Sequence, residues 1–312
     1  MKIGLLFNSS MALPAVQFLL SSGLPVELAI TDVDNQDTPE IRHFLTSAGK
    51  QYTAVSKSAL AVGLKRWIER YKLDVVLVIT FPWKIPAYTL TLPRLGFFNF
   101  HYALLPGYRG AQPIFWQIRN GEKYGGLTIH KMDGGWDTGP VAQQVNIELR
   151  PGETYGLHYS RISWQTLPAV QEFVSKVLKY GDSIQLTPQD NTAANYHPRP
   201  QLTDVTINWQ QMNAIEIQRL VNACNPWNKG AVTYYNQIAF KIVQVSIKEH
   251  KYVNNQNLKP GTVINCLKKK TIDIMTVDND ILTIEIINTD WGFTDASVLI
   301  AQGIVEGAVL GL

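Results

Sequence analysis

The first eighty residues repeat one rhythm, in which short apolar runs alternate with segments of mixed spacing. Residues 2–7 (KIGLLF), 26–31 (VELAIT) and 74–80 (DVVLVIT) are near-continuous apolar runs, the pattern of strands buried on both faces of a parallel sheet. Helical patterns fill the intervals. One runs from the NSSMALP loop to about Ser22, with Ser9 or Ser10 as N-cap; one is capped by Thr38 and ends at Gly49; a third is LAVGLKRWIERYK, after the short strand YTAV. This alternation predicts an α/β domain with a mainly parallel, Rossmann-like sheet and helices on both faces. The first turn lacks G-x-G-x-x-G, so a dinucleotide site gains no support.

At Gly96 the pattern changes. In GFFNFHY, Phe97, Asn99 and His101 alternate with Phe98 and Phe100. A period of two puts Asn99 and His101 on one side of the strand and the two phenylalanines on the other. A Pro/Gly-rich turn (LLPGYRG), a helix (QPIFWQIRNGE) and a second strand (GLTIHKMD) follow. That strand leads into the loop GGWDTGP, which carries Asp137. An amide, an imidazole and a carboxylate thus stand at the ends of two neighbouring elements.

A helix is expected over 155–180, then a polar, Pro-containing stretch at 187–204 that reads as a linker. INWQQMNAIEIQRLVNACN forms another helix. Beyond it, β runs recur at regular spacing (GAVTYY, IAFKIVQVSIK, GTVINCL, TIDIMTV, ILTIEIIN), the signature of a small β-barrel. The expected division is a catalytic domain at 1–186, the linker at 187–204, and a C-terminal domain at 205–312.

Composition narrows the class. Of the 312 residues 46% are hydrophobic and 17% charged, values of an ordinary globular protein. No apolar run approaches about 18 residues, so no membrane span and a cytoplasmic location are expected, and the opening MKIGLLF reads as a buried strand rather than a leader. Cys224 and Cys266 have no metal-like spacing, and His43, His158, His197 and His250 are scattered, so no metal site is expected. Net charge is +3, unevenly spread: residues 241–270 hold seven lysines against Glu249 alone, a local +6. Such a stretch suits either an anionic partner or a solvated lysine face.

The order of motifs is specific. Asn99-Phe100-His101, Ala103-Leu104-Leu105-Pro106, Arg109-Gly110 and Asp137-Thr138-Gly139 resemble the N-x-H, S-L-L-P, R-G and D-T-G pattern of the folate-dependent formyltransferase family. Downstream, INW (207–209), NACNPWNKGA (222–231), PGTV (260–263) and the tail 297–312 resemble the linker and OB-like C-terminal domain of the branch that formylates methionyl-tRNA. The resemblance implies 10-formyltetrahydrofolate as co-substrate, a primary amine as acceptor, Asn99, His101 and Asp137 as catalytic residues, and no metal. It also implies a folate pocket walled by Phe81, Trp83 and Ile85 and by the turn of Ala103, Leu104, Leu105 and Pro106, with Arg109 and Gly110 clamping donor or acceptor. Ala103 stands where the family usually has serine, which removes a hydroxyl contact. The branch's basic loop after the second strand is replaced here by TDVDNQDTPE (31–40), with four acidic residues and no basic one, which disfavours tRNA. An amino-sugar nucleotide or a synthetase- or carrier-bound aminoacyl group is an alternative acceptor, and hydrolysis of 10-formyltetrahydrofolate to formate an alternative reaction.

Formyl transfer needs little from the protein beyond donors and a charge. Side-chain N–H groups of Asn99 and His101 can stabilise the developing oxyanion, and Asp137 can raise the basicity of His101 or accept the amine proton. No nucleophilic Ser or Cys is required. His130, on GLTIHKMD, is expected to be a structural hydrogen-bonding histidine.

Overall fold

The structure, a computed structural model, describes residues 1–249, 258–266 and 270–311. The chain divides into two compact units: Met1–Pro113, Tyr124–Glu148 and Tyr159–His197 form the first, and Ile114–Lys123, Leu149–His158 and Pro198–Leu312 the second. The polar stretch expected as a linker therefore belongs to the first unit as far as His197.

In chain order the elements are β1 (Ile3–Phe7), α1 (Leu13–Ser21), β2 (Val26–Thr31), α2 (Thr38–Ser47), β3 (Thr53–Val55), α3 (Leu60–Tyr71), β4 (Val75–Ile79), α4 (Ala87–Leu90), β5 (Phe97–His101), β6 (Arg109–Gly110), α5 (Pro113–Asn120), β7 (Tyr124–Lys131), β8 (Val141–Glu148), α6 (Tyr155–Tyr180) and β9 (Tyr196–His197). Seven strands form one sheet in the order β3-β2-β1-β4-β5-β7-β8. The first five are parallel, while β7 and β8 run antiparallel at one edge. The path steps from β1 to one edge and returns past β1 to the other, so right-handed crossovers put α1 and α2 on one face and α3 on the opposite one.

Burial follows from the apolar runs. On one face Leu60, Leu64, Trp67 and Ile68 of α3 pack with Leu6, Val76, Val78 and Phe97, and Phe81, Trp83 and Met132 lie against the same cluster. On the other face Phe98 and Phe100 meet Phe173 of α6, with ring centroids 4.8 and 6.2 Å apart. Alternation in β5 therefore runs as the period of two requires, and Asn99 and His101 share the face of Phe97. Helix α2 begins at Thr38, but the cap differs from the expected one. The Asn35 side-chain oxygen accepts from the backbone N–H groups of Asp37 and Thr38, and the Thr38 hydroxyl oxygen accepts from Asn35 N. An Asx turn at Asn35, three residues before Thr38, thus takes up the first helical amide.

In the second unit α7 (Ala214–Cys224) starts at a capping box made by Asn213 and Glu216. It precedes β10 (Ala231–Tyr235), β11 (Ile238–Ile247), β12 (Val263–Asn265), β13 (Ile272–Met275), β14 (Ile281–Thr289), β15 (Gly292–Asp295) and α8 (Ser297–Ala301). Strands β10-β11-β14-β13-β12 are joined antiparallel, with β15 on β14 and register slips at Gln244 that curl the sheet into an OB-like half-barrel. The downstream motifs serve this unit. Trp209 of INW donates to Thr233 (2.9 Å), Trp227 packs on Phe115, and Asn225 donates to the Val243 carbonyl (3.0 Å).

Candidate active site

Strand register brings the site together. Antiparallel pairing sets Asn99 directly opposite His130, and His101 opposite Thr128, which in turn faces Gln144 on β8. Because side chains alternate, these residues line one face at the end of β5. The loop after β7 then lays Asp137 over them. Its carboxylate is nearly enclosed, at 11% exposure. One oxygen, Oδ1, accepts from Asn99 Nδ2 (3.2 Å) and lies 3.4 Å from His130 Nε2. The other, Oδ2, accepts from the backbone N–H of Gly110 (2.9 Å) and lies 3.6 Å from His101 Nδ1.

His101 Nε2 is 2.7 Å from the Tyr108 carbonyl, which can only accept, so that nitrogen carries a proton. With Nδ1 turned to Asp137, a proton on either ring nitrogen has an acceptor. His130 Nδ1 faces the Lys131 carbonyl at 3.3 Å, and Asn99 Nδ2 stands 3.3 Å from His130 Nε2. The imidazole expected to serve structure alone therefore touches two of the three candidate catalytic groups. The signal was present: Thr128 and His130 alternate on GLTIHKMD as Asn99 and His101 do on β5.

These contacts decide the charge of Asp137. Burial pushes its carboxyl up, but the attraction of His101, the hydrogen bond from His130 and the Gly110 amide outweigh that and hold it well below the usual carboxylate range. It is a permanent anion at any ordinary pH.

Backbone geometry around the site is tight. Asp137 itself has φ of +55°, and Thr80 and Tyr108 also lie in the left-handed region. Two glycines are dictated by close approach. A Cβ on Gly139 would stand 1.8 Å from the Lys131 carbonyl oxygen, and one on Gly110 would stand 2.3 Å from that of His197, where β6 pairs with β9. Asp133 stiffens the loop by accepting from Gly135 N and the Thr138 hydroxyl.

The LLP turn is held from β7 and β8. Thr128 Oγ1 donates to the Ala103 carbonyl (2.6 Å) and accepts from Leu105 N (3.1 Å), and Gln144 Nε2 donates to the Leu105 carbonyl (2.7 Å). The Leu105–Pro106 peptide is cis. Ala103 and Leu105 are buried, while Leu104 and Pro106 are half-buried. Ile85 is buried too, and Phe81 and Trp83 are half-buried in an edge-to-face pair with centroids 5.4 Å apart. They form an aromatic wall on the face that carries Asn99, the kind of surface on which a flat heterocycle can lie.

Arg109 is not open to a partner in the way its motif suggests. It is 8% exposed, and its guanidinium donates to Gln189 Oε1 and Asn191 Oδ1, residues of the polar stretch after α6. Gly110 contributes its amide to Asp137. Neither Gln189 nor Asn191 carried a local signal in the sequence. Among the described residues no group of His, Cys, Asp and Glu is arranged to hold a metal, and no helix is long and apolar enough to cross a membrane.

Comparison with known proteins points the same way. Residues 32–171 match the formyl transferase model, and residues 201–291 match the model of the formyl transferase C-terminal domain. A methionyl-tRNA formyltransferase of Desulforamulus reducens is 31% identical over 219 residues, spanning 70% of this chain and 67% of the relative. One from Acetivibrio thermocellus is 26% identical over 318 residues and the full length of both. The fold is shared with a Helicobacter canadensis N-formyltransferase solved with folinic acid and dTDP-3-aminofucose, at a TM-score of 0.68 and 16% identity over 91% of this chain and 98% of that one. With both domains matched in order, the chain belongs to the formyltransferase family.

Proposed function

We propose that the protein transfers the formyl group of 10-formyltetrahydrofolate to a primary amine, and that the amine is the aminoacyl group of methionyl-tRNA. The observation that carries the chemistry is the convergence of Asn99, His101 and the Gly110 amide on one buried carboxylate, Asp137. The co-substrate supplies an activated formyl carbon. At that carbon a bond to the amine nitrogen forms, the bond to the donor nitrogen breaks, and one proton leaves the amine while another reaches the donor nitrogen.

Asn99 and His101 can supply N–H groups for the charge that develops on the formyl oxygen. They do so by exchanging bonds they make within the site, Asn99 Nδ2 to Asp137 Oδ1 and His101 Nε2 to the Tyr108 carbonyl, for bonds to substrate. Asp137, held far below the usual carboxylate range, is a weak proton acceptor at equilibrium but a fixed negative charge. Of its two conceivable roles, this favours the electrostatic one: it stabilises the positive charge on the attacking amine as that amine loses its proton. The half-buried pair Phe81 and Trp83, with Ile85 and the 103–106 turn, suits the flat, partly apolar ring system of a folate.

Methionyl-tRNA as acceptor is supported by relatives of that name that match the chain end to end. A second reading, an amino-sugar nucleotide, is favoured by charge: segment 31–40 holds four acids and no base, and phosphate backbone is repelled there. The test is to mix the protein with 10-formyltetrahydrofolate and, in turn, methionyl-tRNA, a nucleotide-linked amino sugar and free amino acids, following release of tetrahydrofolate. Release that requires methionyl-tRNA sustains the proposal. Release with formate and no acceptor would replace transfer by hydrolysis.

A further inference from the structure

The polar stretch after α6 was expected to do no more than connect two domains, yet it lies across the candidate site. Thr187 bridges to Val141, Gln189 and Asn191 hold the Arg109 side chain, and the Arg109 amide donates to the Asn195 carbonyl (3.1 Å). Tyr196 and His197 pair with Arg109 and Gly110, and the His197 ring stacks on Tyr108 at 4.7 Å.

Gln189 is the centre of this strap. Its Oε1 accepts from Arg109 Nε (3.2 Å) and Nη2 (2.7 Å), while its Nε2 donates to the carbonyls of Asp137 (2.9 Å) and Gly139 (2.6 Å). Both protons and both lone pairs of one carboxamide are used, and the guanidinium and the carbonyls allow one orientation only. Those contacts close a ring. The Asp137 carboxylate is bound to the Gly110 amide, Gly110 follows Arg109, the Arg109 guanidinium is bound to Gln189, and Gln189 returns to the Asp137 carbonyl. Within that ring Asp137 keeps a left-handed backbone, φ +55°, which its neighbours must enforce. Arg109 is bound by two neutral amides, those of Gln189 and Asn191.

We propose that Gln189 is a positioning residue for formyl transfer, tying the Arg109 guanidinium to the backbone of the 133–139 loop and so setting where the Asp137 carboxylate stands. This rests on the reaction proposed above. A carboxylate misplaced by about 1 Å costs on the order of a hundredfold in rate. Three variants of the full chain separate this role from a merely structural one. Gln189→Leu removes both halves of the carboxamide, Gln189→Glu keeps an acceptor for Arg109 but loses both donors to the loop, and Gln189→Asn keeps both but falls a methylene short.

The readouts are kcat and KM for 10-formyltetrahydrofolate at a saturating acceptor, together with hydrogen exchange of the Gly110 amide, whose acceptor is Asp137 itself. In Gln189→Glu and Gln189→Leu, kcat should fall about 10- to 100-fold with KM within about threefold, and Gly110 should exchange at least about tenfold faster. Should Gln189→Leu fail to fold, Gln189→Glu and Gln189→Asn carry the test. A Gln189→Glu protein with the kcat and Gly110 exchange of the parent overturns the proposal, since the link to the loop would then be idle. If the parent transfers formyl to no acceptor, the reaction assignment fails, and Gly110 exchange still decides whether Gln189 holds the loop: faster exchange in Gln189→Glu sustains it, unchanged exchange overturns it.

Discussion

Replacing Asp137 by Asn changes one atom, and its consequence can be worked out from the four groups around the carboxylate. An asparagine has one acceptor where aspartate has two. If that oxygen takes the Oδ2 position it keeps the Gly110 amide at 2.9 Å, and the new NH₂ then opposes Asn99 Nδ2 at 3.2 Å. The reverse orientation sets NH₂ against a backbone N–H that cannot turn away, so the first prevails and one hydrogen bond to a charged acceptor is lost. Such a bond contributes about 1.5–3 kcal/mol, which at roughly 2–4 °C per kcal/mol for a unit of this size lowers the unfolding midpoint by about 3–12 °C. Turnover should fall by at least about a hundredfold, because the negative charge goes as well. The loss of stability should also depend on pH with a definite sign. The folded carboxyl lies below the unfolded value of about 3.9. Its stabilisation is therefore complete above about pH 5 and disappears as pH falls through the ordinary aspartate range and below. The gap in unfolding midpoint between parent and variant, followed by calorimetry from pH 7 to pH 3, should narrow at the acid end. A constant gap, or turnover close to the parent's, would refute this account of Asp137.

Four further substitutions probe the surroundings. His101→Ala should reduce turnover by about a hundredfold or more, whereas His130→Ala, whose ring meets both Asn99 and Asp137, should lower turnover about tenfold and the unfolding midpoint as well, both read in one steady-state and calorimetric series. Trp83→Ala should weaken folate binding about tenfold and diminish the tryptophan quenching on titration, since it removes half of the aromatic wall. Gly139→Ala should cost about 1–3 kcal/mol of stability and most of the activity, because its methyl has no room beside the Lys131 carbonyl; a soluble, active Gly139→Ala protein would show that the loop can move.

What could be read in the sequence, and what could not, divides by the range of the interaction. The buried parallel strands and the 155–180 helix were legible because burial on both faces and the 3.6-residue period are local patterns, and the helix indeed runs Tyr155–Tyr180. The shared face of Asn99 and His101 was legible for the same reason. Strand β8 was missed: in VAQQVNIE polar side chains intrude on the alternation, among them Gln144, which is spent on the 103–106 turn. The nearness of His130 to Asn99 depends on antiparallel register, set by the whole β5–β7 pair rather than by either strand alone. Gln189 lies fifty-two residues beyond Asp137 in a stretch whose composition says only that it is polar. Motif resemblance named the chemistry; it did not name the residues that hold the motif in place.

The acceptor remains a question of charge, and here the structure sharpens the sequence reading. Of the seven lysines in 241–270, Lys251, Lys268 and Lys269 lie outside the described residues. Three of the other four are engaged by the chain itself: Lys241 donates to the Asn228 carbonyl (2.6 Å), Lys248 pairs with Asp273, and Lys270 lies 3.7 Å from Asp295. The local +6 is therefore partly neutralised by acids from other strands of the same sheet, and a grip on tRNA would fall mainly to Lys259 and the run 268–270, where Lys270 would have to exchange Asp295 for a phosphate. If these three consecutive lysines each meet a phosphate, reversing them to Glu should flatten the slope of log affinity against log salt by about 3, near one per contact. Between 50 and 200 mM salt, three contacts alone amount to an affinity change of roughly forty-fold. The assay is methionyl-tRNA binding and formylation for parent and triple variant across that salt range. A parent that formylates methionyl-tRNA while the triple variant keeps its slope would move the phosphate contacts off this run. A parent that formylates a nucleotide-linked amino sugar but not methionyl-tRNA would end the tRNA reading, and would leave Asn99, His101 and Asp137 doing the same chemistry on a smaller amine.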